Sequence, residues 1–256
     1  SQNTAGHVSA EADVGITQWL TVNAFAARAP EDEQISSPLR NTVGAGVRLS
    51  TAIASLSADF AKQEANSVSV DGGRALRVAG LTGIGGFSLA GRYAKYQDFL
   101  SESAGRSASP LQSESQFRVA TTIPIRDFPI GIALISERWK YTDDSSEKSD
   151  RAQVNFSFDR VFFTQDFEDR RFQYPGSSES QSFNWIPTAS INLGNDFRVA
   201  TAARYDIIGR NLDQLLVSAN YRFNAKTALS LGVSQSRTKI NANCFCKSHS
   251  AFIGLS

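Results

Sequence analysis

The stretch that most suggests chemistry is NCFCKSH at residues 243–249. Cys244, Cys246 and His249 could offer two thiolates and an imidazole to a metal, but a fourth ligand is missing and the spacing differs from that of structural zinc sites. In an oxidising compartment a disulfide between Cys244 and Cys246 is favoured over two free thiols and over a metal. The bridge would be strained, because an extended chain holds Cα atoms of residues i and i+2 near the upper limit for a disulfide. We expect no cofactor and no metal.

Residues for enzymatic catalysis are otherwise scarce. The sequence contains two histidines, His7 and His249, and no spacing places either one beside the serine and acid that Ser–His–acid catalysis requires. The glycine-rich TGIGGF at 82–87 has no helix after it, so it predicts a turn and not a phosphate-binding loop. We expect that the chain is not an enzyme. An outer-membrane hydrolase would have to use His249 or carboxylates alone.

The remaining candidate residues depend on the strands that hold them. In RAQVNFSFDR at 151–160, apolar residues alternate with polar ones, and similar alternation recurs at 54–60, 197–205 and 215–223. A period of two predicts β-strands with unlike surroundings on their two faces, because successive side chains point in opposite directions. The alternating pattern predicts roughly 14 to 16 strands, most of them of about 9 to 11 residues. A tilted strand of that length crosses a bilayer.

Short and long connections separate these strands. IRDF at 125–128 and LGND at 193–196 are short turn sequences, whereas 101–115 and 142–150 are long polar stretches. Transmembrane barrels have short turns at one end and long loops at the other. We therefore predict an all-β fold, an antiparallel up-and-down transmembrane β-barrel that forms a single domain over residues 1–256. A soluble sandwich or barrel with its polar face outside is the alternative.

In such a barrel the polar face lines the lumen and the apolar face contacts lipid. Charged residues on the polar face are then the candidate site, and cross-strand ion pairs are an equally good explanation for them. Because both signs occur, we expect a lumen without strong preference for anions or cations. The predicted lumen-facing residues are Asp59, Arg92, Arg118, Asp159, Arg198, Arg204 and Arg222.

The composition of the chain limits the classes of partner that the protein can be expected to bind. Charged residues make up 20% of the 256 residues and the formal net charge is +1, so there is no electrostatic reason to expect nucleic acid as a partner. No run approaches the about 18 apolar residues of a transmembrane helix, so a membrane-embedded chain would enter as strands. The opening SQNTAGHVSA has no signal-peptide features. We expect a signal peptide already removed, a bacterial outer-membrane location, and contact with the lipid bilayer and lipopolysaccharide.

Several segments resemble the barrel of fimbrial ushers of the chaperone–usher pathway. The segments are DVGITQWLTVNAFAA at 13–27, NTVGAGVRLSTAIASLSADFA at 41–61, GGFSLAGRYAKYQDFLSES at 85–103, NYRFNAKTALSLGVSQSRTK at 220–239 and SAFIGLS at 250–256. The resemblance implies a pore that translocates pilus subunits and that receives them from periplasmic chaperone–subunit complexes. An usher barrel is longer and holds a plug domain. The resemblance therefore also implies that this chain is part of a longer barrel.

Two other functions stay open beside the usher resemblance. The first is a self-contained porin-like channel for passive diffusion of small solutes, which a barrel of this strand number can support. The second is a structural or adhesive barrel whose long loops are the working surface.

Overall fold

The structure, a computed structural model, describes residues 8–30, 39–64, 72–99, 111–125, 128–194, 196–224, 227–241 and 244–255. Within these ranges, side chains are described except at 29–30, 39–40, 224, 238–241, 244–245 and 255. The described residues form 15 β-strands. Their bounds are β1 (Val8–Thr17), β2 (Leu20–Pro30), β3 (Leu39–Ser50), β4 (Ala54–Glu64), β5 (Gly73–Ile84), β6 (Phe87–Gln97), β7 (Leu111–Ile125), β8 (Phe128–Tyr141), β9 (Ser146–Phe158), β10 (Val161–Gln173), β11 (Ser180–Leu193), β12 (Phe197–Asp206), β13 (Asn211–Asn224), β14 (Thr227–Asn241) and β15 (Cys244–Leu255).

All 15 strands belong to one sheet, in which their order follows the sequence from β1 to β15. Neighbouring strands run antiparallel, as the register of β2 against β3 and of β13 against β14 shows. The all-β, up-and-down fold is therefore confirmed, and the strand number falls within the expected range. No helix among the described residues is long and apolar enough to cross a membrane.

Several strands are longer than the sequence led us to expect. β7 and β14 have 15 residues each, and β8, β11 and β13 have 14. The prediction of long loops at 101–115 and 142–150 was partly wrong, since β7 already begins at Leu111 and β9 at Ser146. Polar residues in these segments continue the strand beyond its apolar part, and polarity alone does not mark the end of a strand.

The chain divides into two compact units. The first unit consists of Ser1–Val119, Ser136–Lys148 and Phe172–Ser178, and the second consists of Ala120–Ile135, Ser149–Arg171 and Glu179–Ser256. β1 to β6 lie wholly in the first unit, and β11 to β15 lie wholly in the second. The prediction of a single domain stays a prediction.

Cross-strand register separates the side chains into two faces, because directly paired residues of an antiparallel sheet point to the same side. We call the two sides the apolar face and the polar face. In the first unit, the apolar face includes Val22, Ala24, Val43, Val47, Ala58, Phe60, Leu76 and Val78. The polar face includes Thr21, Asn23, Arg48, Ser57, Asp59, Gln63, Arg77 and Arg92. In the second unit, the apolar face includes Val199, Thr201, Val217, Ala219, Leu231 and Val233, and the polar face includes Arg198, Ala200, Ser218, Asn220 and Ser230.

Side-chain burial is the reverse of that in a soluble core. Among the described residues, the buried apolar side chains are Ala61, Ala94, Leu111 and Ala133, and the largest fully buried side chain is that of Asn184. Phe60 and Val233, in contrast, are 50% and 58% exposed. A continuous exposed apolar surface indicates contact with a membrane or a partner. The apolar face therefore has the character of a surface that meets lipid.

Aromatic side chains mark the turn end of the apolar face. In the second unit, the rings of Phe197 and Tyr221 lie 6.4 Å apart, and those of Tyr221 and Phe223 lie 4.9 Å apart. All three lie at the ends of strands joined by short turns. In the first unit, Trp19 lies in the β1–β2 turn and is 46% exposed. Such rings are typical of the interface between hydrocarbon and headgroups.

Candidate functional site: the polar face of the sheet

On the first unit's polar face, Asp59 of β4 is directly opposite Arg77 of β5. Nη2 of Arg92 on β6 lies 3.8 Å from Oε2 of Glu114 on β7. The hydroxyl of Tyr96, also on β6, donates to Oε1 of Glu114 over 3.1 Å. The carboxylate of Glu114 is thus shared between a cation and a phenol, and both signs of charge are present on this face.

The position of Arg118 follows from the same contacts. Gln116 of β7 donates a hydrogen bond of 2.7 Å to Oε1 of Glu137 on the neighbouring strand β8. Glu114, Gln116 and Arg118 alternate along β7, so all three point to the polar face. The predicted residues Asp59, Arg92 and Arg118 are therefore all on this face in the first unit.

Glycines make room on this face for larger side chains. A Cβ at Gly44 would overlap the ring of Phe25, its direct partner on β2, and would lie 2.7 Å from the carbonyl oxygen of Phe60. A Cβ at Gly46 would overlap the side chains of Asp59 and Asn23. Phe25, Asn23 and Asp59 can lie against the sheet because the glycines beneath them carry a hydrogen in place of a side chain. A cavity of 450 Å³ is lined by polar-face residues, among them Arg48, Asp59, Arg77 and Tyr96.

In the second unit the polar face contains a buried ionic network centred on Glu168 of β10. Arg204 of β12 donates to Oε2 of Glu168 over 3.1 Å, and Nη2 of Arg151 on β9 lies 3.7 Å from Oε1. The hydroxyl of Ser149 donates to the same Oε1 over 3.0 Å. Glu168 is 7% exposed and Ser149 is 3% exposed. Because β11 lies between β10 and β12, the Arg204 side chain extends across it and links strands that are not neighbours.

Two further predicted residues lie on this face of the second unit. Arg198 of β12 donates through Nη2 to the hydroxyl of Ser190 on β11 over 3.0 Å, and it is directly opposite Asn220 of β13. Arg222 of β13 is exposed and directly opposite Ala228 of β14. Arg198, Arg204 and Arg222 therefore share the polar face, where Arg204 is in an ion pair and Arg222 is open to solvent.

The prediction for Asp159 needs correction. Asp159 lies in the two-residue turn between β9 and β10, after the strand ends at Phe158. Its φ of 50° is in the left-handed region, which aspartate tolerates in turns. It therefore belongs to neither face of a strand, although the sequence alternation had continued through it.

The predicted disulfide would join two residues of one strand, β15. Cys244 and Cys246 are both on β15. Cys246 is exposed, whereas the side chain of Cys244 lies outside the described residues. The bridge stays a prediction.

Sequence reasoning missed the two carboxylates that organise the site. Glu114 was placed inside the predicted loop at 101–115, and Glu168, in the segment 161–171, was not among the predicted lumen-facing residues. The signal was present in both segments. Glu114, Gln116 and Arg118 are polar at every second residue, as are Thr164, Asp166 and Glu168. A period of two in polar residues alone predicts a strand with one wet face.

The fold is similar to the folds of known outer-membrane proteins, although the sequence has no match. No family model matches the sequence, and no curated protein matches it. The structure is similar to a bacterial polysaccharide outer-membrane secretin, with a TM-score of 0.52 and 12% sequence identity over 97% of this chain and 88% of that one. It is also similar to the ferric yersiniabactin uptake receptor FyuA from Yersinia pestis, with the same TM-score and identity, over 97% of this chain and 55% of the receptor.

These similarities define the class of fold. Both proteins are outer-membrane β-barrels, and at 12% identity the likeness concerns the fold alone. The chain spans about half the length of the receptor. Its 15 antiparallel strands in sequence order have the up-and-down architecture of outer-membrane β-barrels.

Proposed function

We propose that this chain forms the wall of a pore in the bacterial outer membrane, and that small polar solutes pass along its polar face. The observation that carries the proposal is the separation of side chains into one apolar and one polar face across strands of both units. In a bilayer only the apolar face can meet hydrocarbon at low cost, which leaves the polar face for water.

The chemistry of the polar face supports a passive pathway. Arginines and carboxylates occur together on it, as in the Arg92–Glu114 and Arg204–Glu168 pairs. Fixed charges of both signs give a wet surface without a strong average field for one ion type. A pathway of this kind admits polar solutes by size more than by charge.

A narrower function, translocation of pilus subunits by an usher-type pore, has support from the sequence. The usher-like segments 13–27 and 41–61 fall on the hairpins β1–β2 and β3–β4. Such a pore would receive its substrate from periplasmic chaperone–subunit complexes. Contact with lipopolysaccharide and the lipid bilayer is part of both proposals.

Planar-bilayer recording tests the pore directly. The purified chain should give discrete conductance steps. Arg198→Glu on the polar face should shift the reversal potential towards cation selectivity, because it inverts a charge in the water-filled path. Lys247→Glu is the matched control, since Lys247 is exposed on the apolar face opposite Arg237. Absence of conductance steps, or equal shifts from both variants, would contradict the proposal.

Polymer exclusion separates the two kinds of pore. A folded domain of 100 residues has a radius of gyration of about 13 Å, so a subunit-translocating lumen must admit polymers of that size. If small polyethylene glycols enter and reduce the conductance while polymers of that radius do not, the small-solute pore is supported. Entry of the larger polymers would favour the usher-type function.

A further inference from the structure

Three cations stand together at the loop end of the apolar face in the first unit. Lys62 of β4 is directly opposite Arg74 of β5, and Lys95 of β6 is directly opposite Leu76, the next apolar-face residue of β5 after Arg74. All three side chains are exposed. We call Lys62, Arg74 and Lys95 the basic cluster. They lie on neighbouring strands, which are about 4.8 Å apart, so a single anionic group can reach more than one of them.

The basic cluster is unfavourable without a ligand. Like charges directly opposite each other across a sheet destabilise it, and Lys62 faces Arg74 in this way. None of the three forms an ion pair with another residue that the structure describes. On the described apolar face of β1 to β6, Glu64 is the one acid and Arg28 is a fourth cation. The net charge of this border is therefore positive.

The surface beside the cluster is apolar. Val43 is directly opposite Lys62, and Phe60, paired with Leu76, is the next apolar-face residue of β4. Phe60 is 50% exposed and Leu76 is 42% exposed. The surface thus presents cations in one row and exposed hydrocarbon in the next, about 7 Å along the strand. An amphiphile with a phosphate headgroup and acyl chains matches both rows.

The position along the strands indicates the leaflet. The basic cluster borders the connections 65–72 and 98–110, which are long, whereas β5 and β6 are joined at their other ends by the two-residue turn at 85–86. In outer-membrane barrels the long loops are extracellular and the short turns are periplasmic. The cluster would then lie at the headgroup level of the outer leaflet.

We propose that Lys62, Arg74 and Lys95 bind the phosphate groups of lipopolysaccharide, with the acyl chains packed on Phe60 and Leu76. This inference rests on the proposed membrane location. Ammonium and guanidinium groups form charge-assisted hydrogen bonds to phosphate oxygens, and arginine can form two in parallel. Bound phosphate would also remove the repulsion between Lys62 and Arg74.

The test is equilibrium binding of fluorescent diphosphorylated lipid A to the purified chain in a neutral detergent. The triple variant Lys62→Gln/Arg74→Gln/Lys95→Gln should bind on the order of 100-fold more weakly, because each basic residue near an anionic surface contributes about fivefold. The control Arg48→Gln/Arg77→Gln/Arg92→Gln removes the same net charge from the polar face and should bind as the unaltered protein does. Lipid A without phosphates should bind the unaltered protein as weakly as the triple variant binds the phosphorylated form.

Three results would overturn the inference. They are equal losses from both triple variants, undiminished binding of dephosphorylated lipid A, and displacement of lipid A by equimolar inorganic phosphate, which would indicate a site for the free ion. Conductance of the same preparations distinguishes this failure from failure of the proposed function. A triple variant that conducts but binds lipid A normally refutes the lipid site alone, whereas an unaltered protein that never inserts removes the membrane location on which the site depends.

Discussion

A charged strand end in the second unit is neutralised by its neighbours, whereas one in the first unit is not. In the second unit, Nη2 of Arg171 lies 2.8 Å from Oδ2 of Asp169, and Gln181 donates to Oδ1 of the same carboxylate over 2.8 Å. In the first unit, Lys62 faces Arg74 with no acid between them. Both groups extend the strands beyond their apolar parts. A charged strand end can thus be satisfied by its neighbours or left available to a ligand.

The polar faces of the units differ in a similar way. Glu168 is buried in the second unit among Arg151, Arg204 and Ser149. In the first unit, the Arg92–Glu114 pair is longer and its arginine side chain is 40% exposed. The second unit therefore contains charges whose removal leaves a buried partner, whereas those of the first unit can be compensated by water.

The largest expected effect tests what the two units share. An arginine in the middle of a lipid-facing strand costs about 2–4 kcal/mol, so Ala24→Arg and Thr201→Arg should each lower the free energy of unfolding by that amount. Their neighbours Asn23→Arg and Ala202→Arg point to the polar face and should cost little. Urea unfolding in lipid vesicles, followed by tryptophan fluorescence, measures all four. Equal costs at neighbouring positions in either unit would show that the faces are assigned wrongly there.

The second largest effect is expected from the ionic network around Glu168, and it should distinguish the second unit from the first. Glu168→Ala should destabilise the protein by about 2–3 kcal/mol, because it leaves Arg151 and Arg204 without their carboxylate. The figure is below that for fully buried pairs since each arginine side chain is about one third exposed. Glu114→Ala in the first unit should cost about 1 kcal/mol or less. The same unfolding assay measures both variants. Equal losses of unfolding free energy would mean that the polar faces of the two units do not differ in this way.

Glycines under aromatic rings give a smaller effect. Gly44→Ala and Gly232→Ala each place a Cβ against a ring, that of Phe25 or Phe252. Overpacking of this kind costs about 1–3 kcal/mol, and Gly44→Ala should cost more because its Cβ also meets the Phe60 carbonyl oxygen, which cannot swing away. Gly15→Ala is the control, since nothing lies within 4 Å of its Cβ. A greater loss at Gly232 than at Gly44 would contradict this explanation.

The smallest expected effect concerns the paired charges of the second unit. Arg171→Gln removes a cation that is already satisfied by Asp169 and that lies 3.8 Å from Glu179. Its removal should leave lipid A affinity unchanged, in contrast to removal of the basic cluster. Fluorescence anisotropy with the same labelled lipid A checks this. A loss as large as that from the triple variant would mean that any cation at this level attracts the lipid.

Much of the fold could be predicted from sequence, and the reasons are local. The alternation Ala152, Val154, Phe156 against Gln153, Asn155 fixes the faces of β9, because strand geometry leaves no other arrangement. The end of the strand could not be read in the same way, since Asp159 continues the alternation but adopts a turn conformation. Strand ends depend on hydrogen-bond pairing with a neighbour, which one segment does not specify.

The site was less predictable for a different reason. Arg204 and Arg92 were recognised individually, but their partners Glu168 and Glu114 belong to other strands. Arg204 and Glu168 are separated by 36 positions in sequence, so no local pattern connects them. Only the order and register of the sheet bring them together.

Two adjacent cysteines on β3 can test directly whether the apolar face meets lipid and the polar face meets water. Val47→Cys and Arg48→Cys, each made in a Cys244→Ser/Cys246→Ser background and reconstituted into lipid vesicles, would be exposed to a charged, membrane-impermeant maleimide. We expect fast labelling at position 48 and little at position 47, because Val47 pairs with Ala58 on the apolar face and Arg48 pairs with Ser57 on the polar face. Equal labelling, or faster labelling at position 47, would contradict it.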